Sequence, residues 1–120
     1  MRLAAEIVIA LVAALHIYFL VLEMFLWRTP FGRRTFATTP EFAQATAALA
    51  ANQGLYNGFL AAGLVWAVVW YGIGSGRAIL TFFLACIVVA GIYGGVTVSR
   101  RILIVQAVPA VIAAALLWLS

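Results

Sequence analysis

Few side chains in this sequence can do chemistry, and they are not scattered. Glu23 and His16 sit inside the first long apolar run, seven positions apart. At about 100° per residue they share one helix face, about 10 Å apart along the axis. They cannot touch directly, so a ligand, a water or a side chain from another helix would have to bridge them. A carboxylate at membrane depth is expensive, and it pairs or binds a proton. Glu23 therefore reads as a general acid/base or proton-binding group. The structural alternative is an interfacial carboxylate bridged to Arg28, Arg33 or Arg100. His16 reads as its catalytic partner or as a neutral imidazole hydrogen-bonded to a neighbouring helix. One His and one carboxylate make a poor ligand set, so no metal site is expected.

A second cluster opens the next apolar run: Asn52, Gln53, Tyr56 and Asn57, with Gly54 and Gly58 among them. Amides in hydrocarbon cost free energy unless they find partners. The four polar residues cover an arc of about 140°, while Gly54 and Gly58 face away from Asn52 and Tyr56. The cluster is either interhelical glue, at roughly 0.6–2 kcal/mol per hydrogen bond, or one wall of a site. In the third run Cys86, Tyr93, Thr97 and Arg100 form a stripe, with Gly91 and Gly95 on the opposite side. Both glycine pairs are small-xxx-small contacts that let helices approach closely. Tyr56 and Tyr93 read as interfacial aromatics or as donors to a bound oxygen. Gln106, beside Pro109, is equally two-sided, and Arg100 reads as a snorkelling anchor.

The elements that carry these residues follow from composition. The chain has 120 residues, 68% hydrophobic and 8% charged. A soluble domain carries about 25% charged residues, so this is an integral membrane protein. Its apolar runs cover about 3–27, 52–71, 78–98 and 102–119, each near the ~20 residues a spanning helix needs. The runs are continuous rather than alternating, which excludes a β-barrel. The expected fold is all-α: a four-helix transmembrane bundle with antiparallel neighbours, in one integral membrane domain over residues 1–120. The net charge of +4 comes from seven Arg and three Glu. The arginines stand at segment ends, as headgroup anchors, so nucleic acid is not the expected partner. Cys86 is alone and reads as a small buried hydrophobe. The first run reads as a retained span rather than a cleaved leader, since it continues past any cleavage site into Arg28, Arg33 and Arg34.

Orientation follows from the arginines. Loops one and three hold five of them, against two for the N-terminus and loop two. Loops one and three are therefore expected in the cytoplasm, with both termini outside the cell membrane. Pro30 and Gly32 read as the end of the first helix. Thr38-Thr39-Pro40-Glu41 reads as a helix start, with Glu41 completing a capping box. Phe42, Ala45, Thr46 and Leu49 continue at helical spacing, so a cytoplasmic helix is expected to run from about Pro40 into the second span. Trp66, Trp70 and Tyr71 form an outer aromatic belt, and Pro109 is expected to kink the last span. This topology brings Glu23, Asn52, Gln53, Tyr56, Asn57, Tyr93 and Gln106 to the same leaflet.

Several stretches resemble the domain of unknown function 1304 family of small bacterial and fungal membrane proteins. They are His16-Ile17-Tyr18, residues 22–27, residues 51–63, Ala90-Gly91-Ile92-Tyr93-Gly94 and Thr97-Val98-Ser99-Arg100. The resemblance spans essentially the whole chain and implies four membrane helices, without a function. The residues themselves point to a polar pocket at the cytoplasmic leaflet for a small, partly apolar molecule such as a quinone, an isoprenoid or a lipid-like compound. Glu23 and His16 would be its acid/base groups, and Asn52, Gln53, Tyr56, Asn57, Tyr93 and Gln106 its ligand contacts. No cofactor motif is visible, and whether chemistry follows binding stays open. A dimeric proton-coupled exporter and a non-catalytic membrane subunit are the alternatives, and a homodimer is compatible with either.

Overall fold

The computed structural model describes residues 1–120, all helix and turn. Five helices follow in order: α1 (Arg2–Met24), α2 (Pro30–Phe36), α3 (Pro40–Ser75), α4 (Arg77–Thr97) and α5 (Arg100–Trp118). All but α2 are long and apolar enough to cross a membrane. At most 28% of the most apolar stretch of each is buried within the protein. The outward remainder is rich in Leu, Ile, Val and Phe, a surface that hydrocarbon solvates and water does not.

Contacts divide the chain into two compact units: Ala14–Ala61, and Met1–Ala13 together with Ala62–Ser120. In the larger one, α4 and α5 run antiparallel. Gly91 meets Ala107, and Gly95 meets Leu103. At the far end the Trp118 indole Nε1 donates to Thr81 Oγ1 at 3.0 Å, and the Arg77 guanidinium lies 5.2 Å from the Trp118 ring centre. A wide, π-type turn at Leu103–Ala107 precedes Pro109 in α5. It absorbs the proline, which can neither donate to the preceding turn nor tolerate its carbonyl. A second wide turn, Ala67–Tyr71, ends α3's long run at Gly72, whose φ of +76° suits glycine.

In the unit Ala14–Ala61, the end of α1 packs antiparallel on the first half of α3. The glycine face does this work: Gly54 sits against Leu20, Glu23 and Met24, and Gly58 against Leu20. Around α3 the buried positions are small, at Ala43, Ala50, Gly54 and Ala61, while Phe42, Leu49, Leu55 and Phe59 point outward. Small residues inside and large ones outside is the packing logic of lipid, where close backbone approach replaces the hydrophobic drive.

Two boundary expectations are corrected. Pro30 does not end the first helix. α1 stops at Met24, and Pro30 begins α2 as its first residue. Thr29 makes the difference: its Oγ1 donates to the Leu26 carbonyl at 2.6 Å and accepts the Gly32 N–H at 3.2 Å. Gly32 belongs inside α2, because a side chain there would overlap the Leu26 carbonyl oxygen. The cap of α3 is shifted by one residue as well. Thr39, not Thr38, accepts from the N–H three residues on, that of Phe42, at 3.1 Å. Glu41 then stands at the second helical position and closes no capping box. Pro40, pre-set for the first helical position, fixes this register. The helix from Pro40 is unbroken through Gly54.

A Cβ at Gly91 would lie 2.7 Å from the Ala107 nitrogen and 2.8 Å from the Ala107 Cβ. Gly91→Leu should therefore cost about 1–3 kcal/mol of stability through overpacking. Ile92→Leu, at an exposed neighbouring site, should stay within about 0.5 kcal/mol. Denaturation of the purified protein in mixed detergent micelles compares the two.

Candidate functional site

α1 ends in a turn that opens a cleft. Phe25 and Leu26 N–H groups both donate to the Val21 carbonyl, at 3.0 and 3.1 Å. The shared carbonyl closes the helix, and residues 25–29 lead the chain away from the α1 axis. Between this turn and α3 lies a cleft of 670 Å³. Its polar lining comes from Glu23, Arg28, Thr29 and Gln44; Met24, Phe25 and Trp27 with the alanines at 47, 48 and 51 complete it. Alanine on α3 leaves the space that larger side chains would fill.

Three side-chain hydrogen bonds fix the walls. Asn57 Nδ2 donates to Glu23 Oε1 at 2.6 Å. Trp27 Nε1 donates to Thr46 Oγ1 at 3.1 Å, and Arg28 Nη1 donates to Gln44 Oε1 at 3.1 Å. Thr46 Oγ1 in turn donates to the Phe42 carbonyl at 2.7 Å, which orients it to receive the indole. All three bonds tie the end of α1, or the turn after it, to α3.

The bridge expected between Glu23 and an arginine is not made. The chain's one ion pair is Arg2 with Glu6, at 3.9 Å. Glu23 has an amide as partner instead. An amide supplies a hydrogen bond and no neutralising counter-charge.

The other candidate residues lie as follows. Glu23 and Asn57 are brought together, and of the eight candidates only Glu23 lines the cleft. His16 is fully buried, its ring edge-on to Phe19 at 5.2 Å. Asn52, Gln53 and Tyr56 are exposed on α3, and Tyr56 stacks edge-on with Phe59. Tyr93 and Gln106 belong to the other unit. Tyr93 is exposed beside a shallow apolar groove on α4 that Phe82, Cys86 and Val89 share. Gln106 is half-buried in the wide turn of α5. Sequence reasoning missed Arg28, Thr29, Gln44 and Thr46 as site residues. The signal available for the cleft was spacing: Gln44, Ala47, Ala48 and Ala51 recur at helical intervals on one side of α3.

Four apolar spanning helices define the class, a multi-pass membrane protein. Within that class the chain belongs to the family described as Protein of unknown function (DUF1304), whose model matches residues 10–118. No curated protein and no solved structure matches it.

The Glu23–Asn57 bond makes a quantitative prediction. A double-mutant cycle on Glu23→Ala and Asn57→Ala should give a coupling of about 0.6–2 kcal/mol. The same cycle with Asn52→Ala in place of Asn57→Ala should give nothing measurable, because Asn52 points outward. Unfolding in detergent reads both.

Proposed function

We propose that this protein binds a small, partly apolar molecule in the cleft at the end of α1. It does so as a bundle of four spans in the cell membrane, with the cleft at the cytoplasmic leaflet and the start of α3 forming a cytoplasmic extension. α3 supports that last point by its length. From Pro40 to Tyr71, before the break at Gly72, it measures about 48 Å, against a hydrocarbon core of about 30 Å, so one end must leave the core. The arginine count favours the Pro40 end as the cytoplasmic one.

The observation that carries the binding reading is the cleft's construction. Its 670 Å³ falls within the ~300–1,000 Å³ typical of small-molecule sites. Polar side chains held by hydrogen bonds stand on one part of the wall, and an alanine surface forms another. Such a mixture suits an amphiphile with a compact head. The reading is binding rather than catalysis. His16 lies outside the cleft, and Glu23, through Asn57, holds the cleft wall in place.

A second reading, a subunit of a larger membrane assembly or a homodimer, draws on a different observation. Asn52, Gln53 and Tyr56 present amide and phenol groups outward from an otherwise apolar protein, and helices in lipid use such groups as glue.

Filling the cleft tests the first reading. Ala48 lines it, and Ala45 is exposed elsewhere on α3. Ala48→Trp should remove a co-purifying amphiphile seen by native mass spectrometry of the wild type, whereas Ala45→Trp should retain it. Equal retention in both variants contradicts the binding site.

A further inference from the structure

Between Glu23 and Glu41 the chain has three arginines, Arg28, Arg33 and Arg34, and no acidic residue. None of the three makes an ion pair. Arg28 is the one placed in the cleft, and its only side-chain partner is the neutral amide oxygen of Gln44, through Nη1. That bond fixes the guanidinium in position and leaves its charge and its remaining N–H groups unspent.

Glu23, which lines the same cleft, could have neutralised it, and it bonds Asn57 instead. Around α3, take Gly54 as the centre of the face that meets α1. At about 100° per residue, Asn57 then lies about 60° to one side of that centre. Gln44, Ala48 and Ala51 lie about 60–120° to the other side. Glu23 bonds Asn57, on one side of that face, while Arg28 bonds Gln44, on the other, so the two line one cleft without forming an ion pair.

The cleft has the Glu23 carboxylate on its Asn57 partner at one place, and at another an unneutralised guanidinium held by Gln44 with Thr29 beside it, next to an apolar surface of Phe25, Ala48 and Ala51. We propose that its occupant is an anionic phospholipid, with the phosphate on Arg28 and an acyl chain along the alanine side of α3. A guanidinium offers two parallel N–H bonds to phosphate oxygens. The surrounding arginines add attraction that a neutral amphiphile would not feel, and the alanines leave room for a chain beside the helix. The proposal deepens the binding reading above by naming the chemistry of the guest.

The test is native mass spectrometry on the full chain released from detergent, offered phosphatidylglycerol, phosphatidylethanolamine, diacylglycerol or soluble glycerol 3-phosphate. Phosphatidylglycerol should bind at least about tenfold more tightly than diacylglycerol, the difference expected of a charge-assisted pair, and more tightly than phosphatidylethanolamine, whose ammonium offsets the phosphate charge and is repelled by the surrounding arginines. Arg28→Gln should abolish that preference, and Arg28→Lys should restore part of it, since lysine keeps the charge but not the fork. Arg34→Gln, exposed and outside the cleft, should weaken the preference far less than Arg28→Gln does.

Equal binding of the three lipids to the wild type overturns the proposal without any variant having to fold. If those lipids are still displaced by Ala48→Trp, the binding reading stands and only the phosphate assignment falls. If no amphiphile is displaced by Ala48→Trp, both fall. Glycerol 3-phosphate binding as tightly as the lipid also overturns the proposal, because the acyl chain would then contribute nothing. Loss of the preference in Arg34→Gln to the same extent as in Arg28→Gln overturns it too, by reducing the effect to general surface charge.

Discussion

A hydrogen bond of 2.6 Å from Asn57 Nδ2 to Glu23 Oε1 is the interaction on which the site depends. A carboxylate this far along an apolar helix needs a donor, and the choice of donor decides what its neighbours do. Gly54 makes the choice available. With no side chain there, α1 approaches α3 until the Glu23 Cβ and the Leu20 carbonyl lie against the glycine. Asn57, three residues further on, then reaches the carboxylate. Any larger residue at position 54 would hold the helices apart, and the cleft wall would lose its register.

The same economy of size recurs elsewhere. Gly91 on Ala107 brings α4 and α5 together as Gly54 brings α1 and α3 together. Many large apolar side chains face outward, a surface suited to lipid, while a smaller set that includes Leu22, Leu64, Leu84 and Ile87 fills the interior. Packing by small residues has a further result: the alanines that allow close approach also leave the cleft open. Trp27 on Thr46 and Arg28 on Gln44 then hold the turn after α1 at a fixed place beside that space. Structure and candidate function therefore rest on one property of α3, a lack of bulk on the side that meets α1.

Much of the fold was legible because its causes are local. Continuous apolar runs predict the four spans, Thr38-Thr39-Pro40-Glu41 predicts the start of α3 to within one residue of its cap, and the spacing of glycines predicts which faces pack. Less legible were features set by one residue's hydrogen bonding. Pro30 and Gly32 look like a helix stop, yet Thr29 turns them into the start of α2. Thr38 and Thr39 are chemically alike, and only the geometry of Pro40 selects between them. For the site, depth was readable and direction was not. Asn52, Gln53 and Asn57 are amides of one kind at one depth, but a rotation of about 100° per residue sends two of them outward and one to Glu23. The cleft left only its spacing in the sequence, because alanines carry no chemical signal and Gln44 alone among them is polar.

The central claim is that Asn57, and not an arginine, holds Glu23 in the membrane. Asn52 and Asn57 are the only asparagines in the chain, so Asn52→Ser leaves Asn57 as a unique label. Solid-state NMR of that variant in lipid bilayers, with ¹⁵N in the asparagine side chain and ¹³C in the glutamate carboxyls, measures the distance directly. The account predicts a nitrogen-to-carboxyl-carbon separation of about 3.5 Å, that of a direct hydrogen bond. No dipolar contact between the two labels would contradict it, and a contact from Glu23 to labelled arginine guanidinium groups in its place would restore the ion pair as the organising interaction.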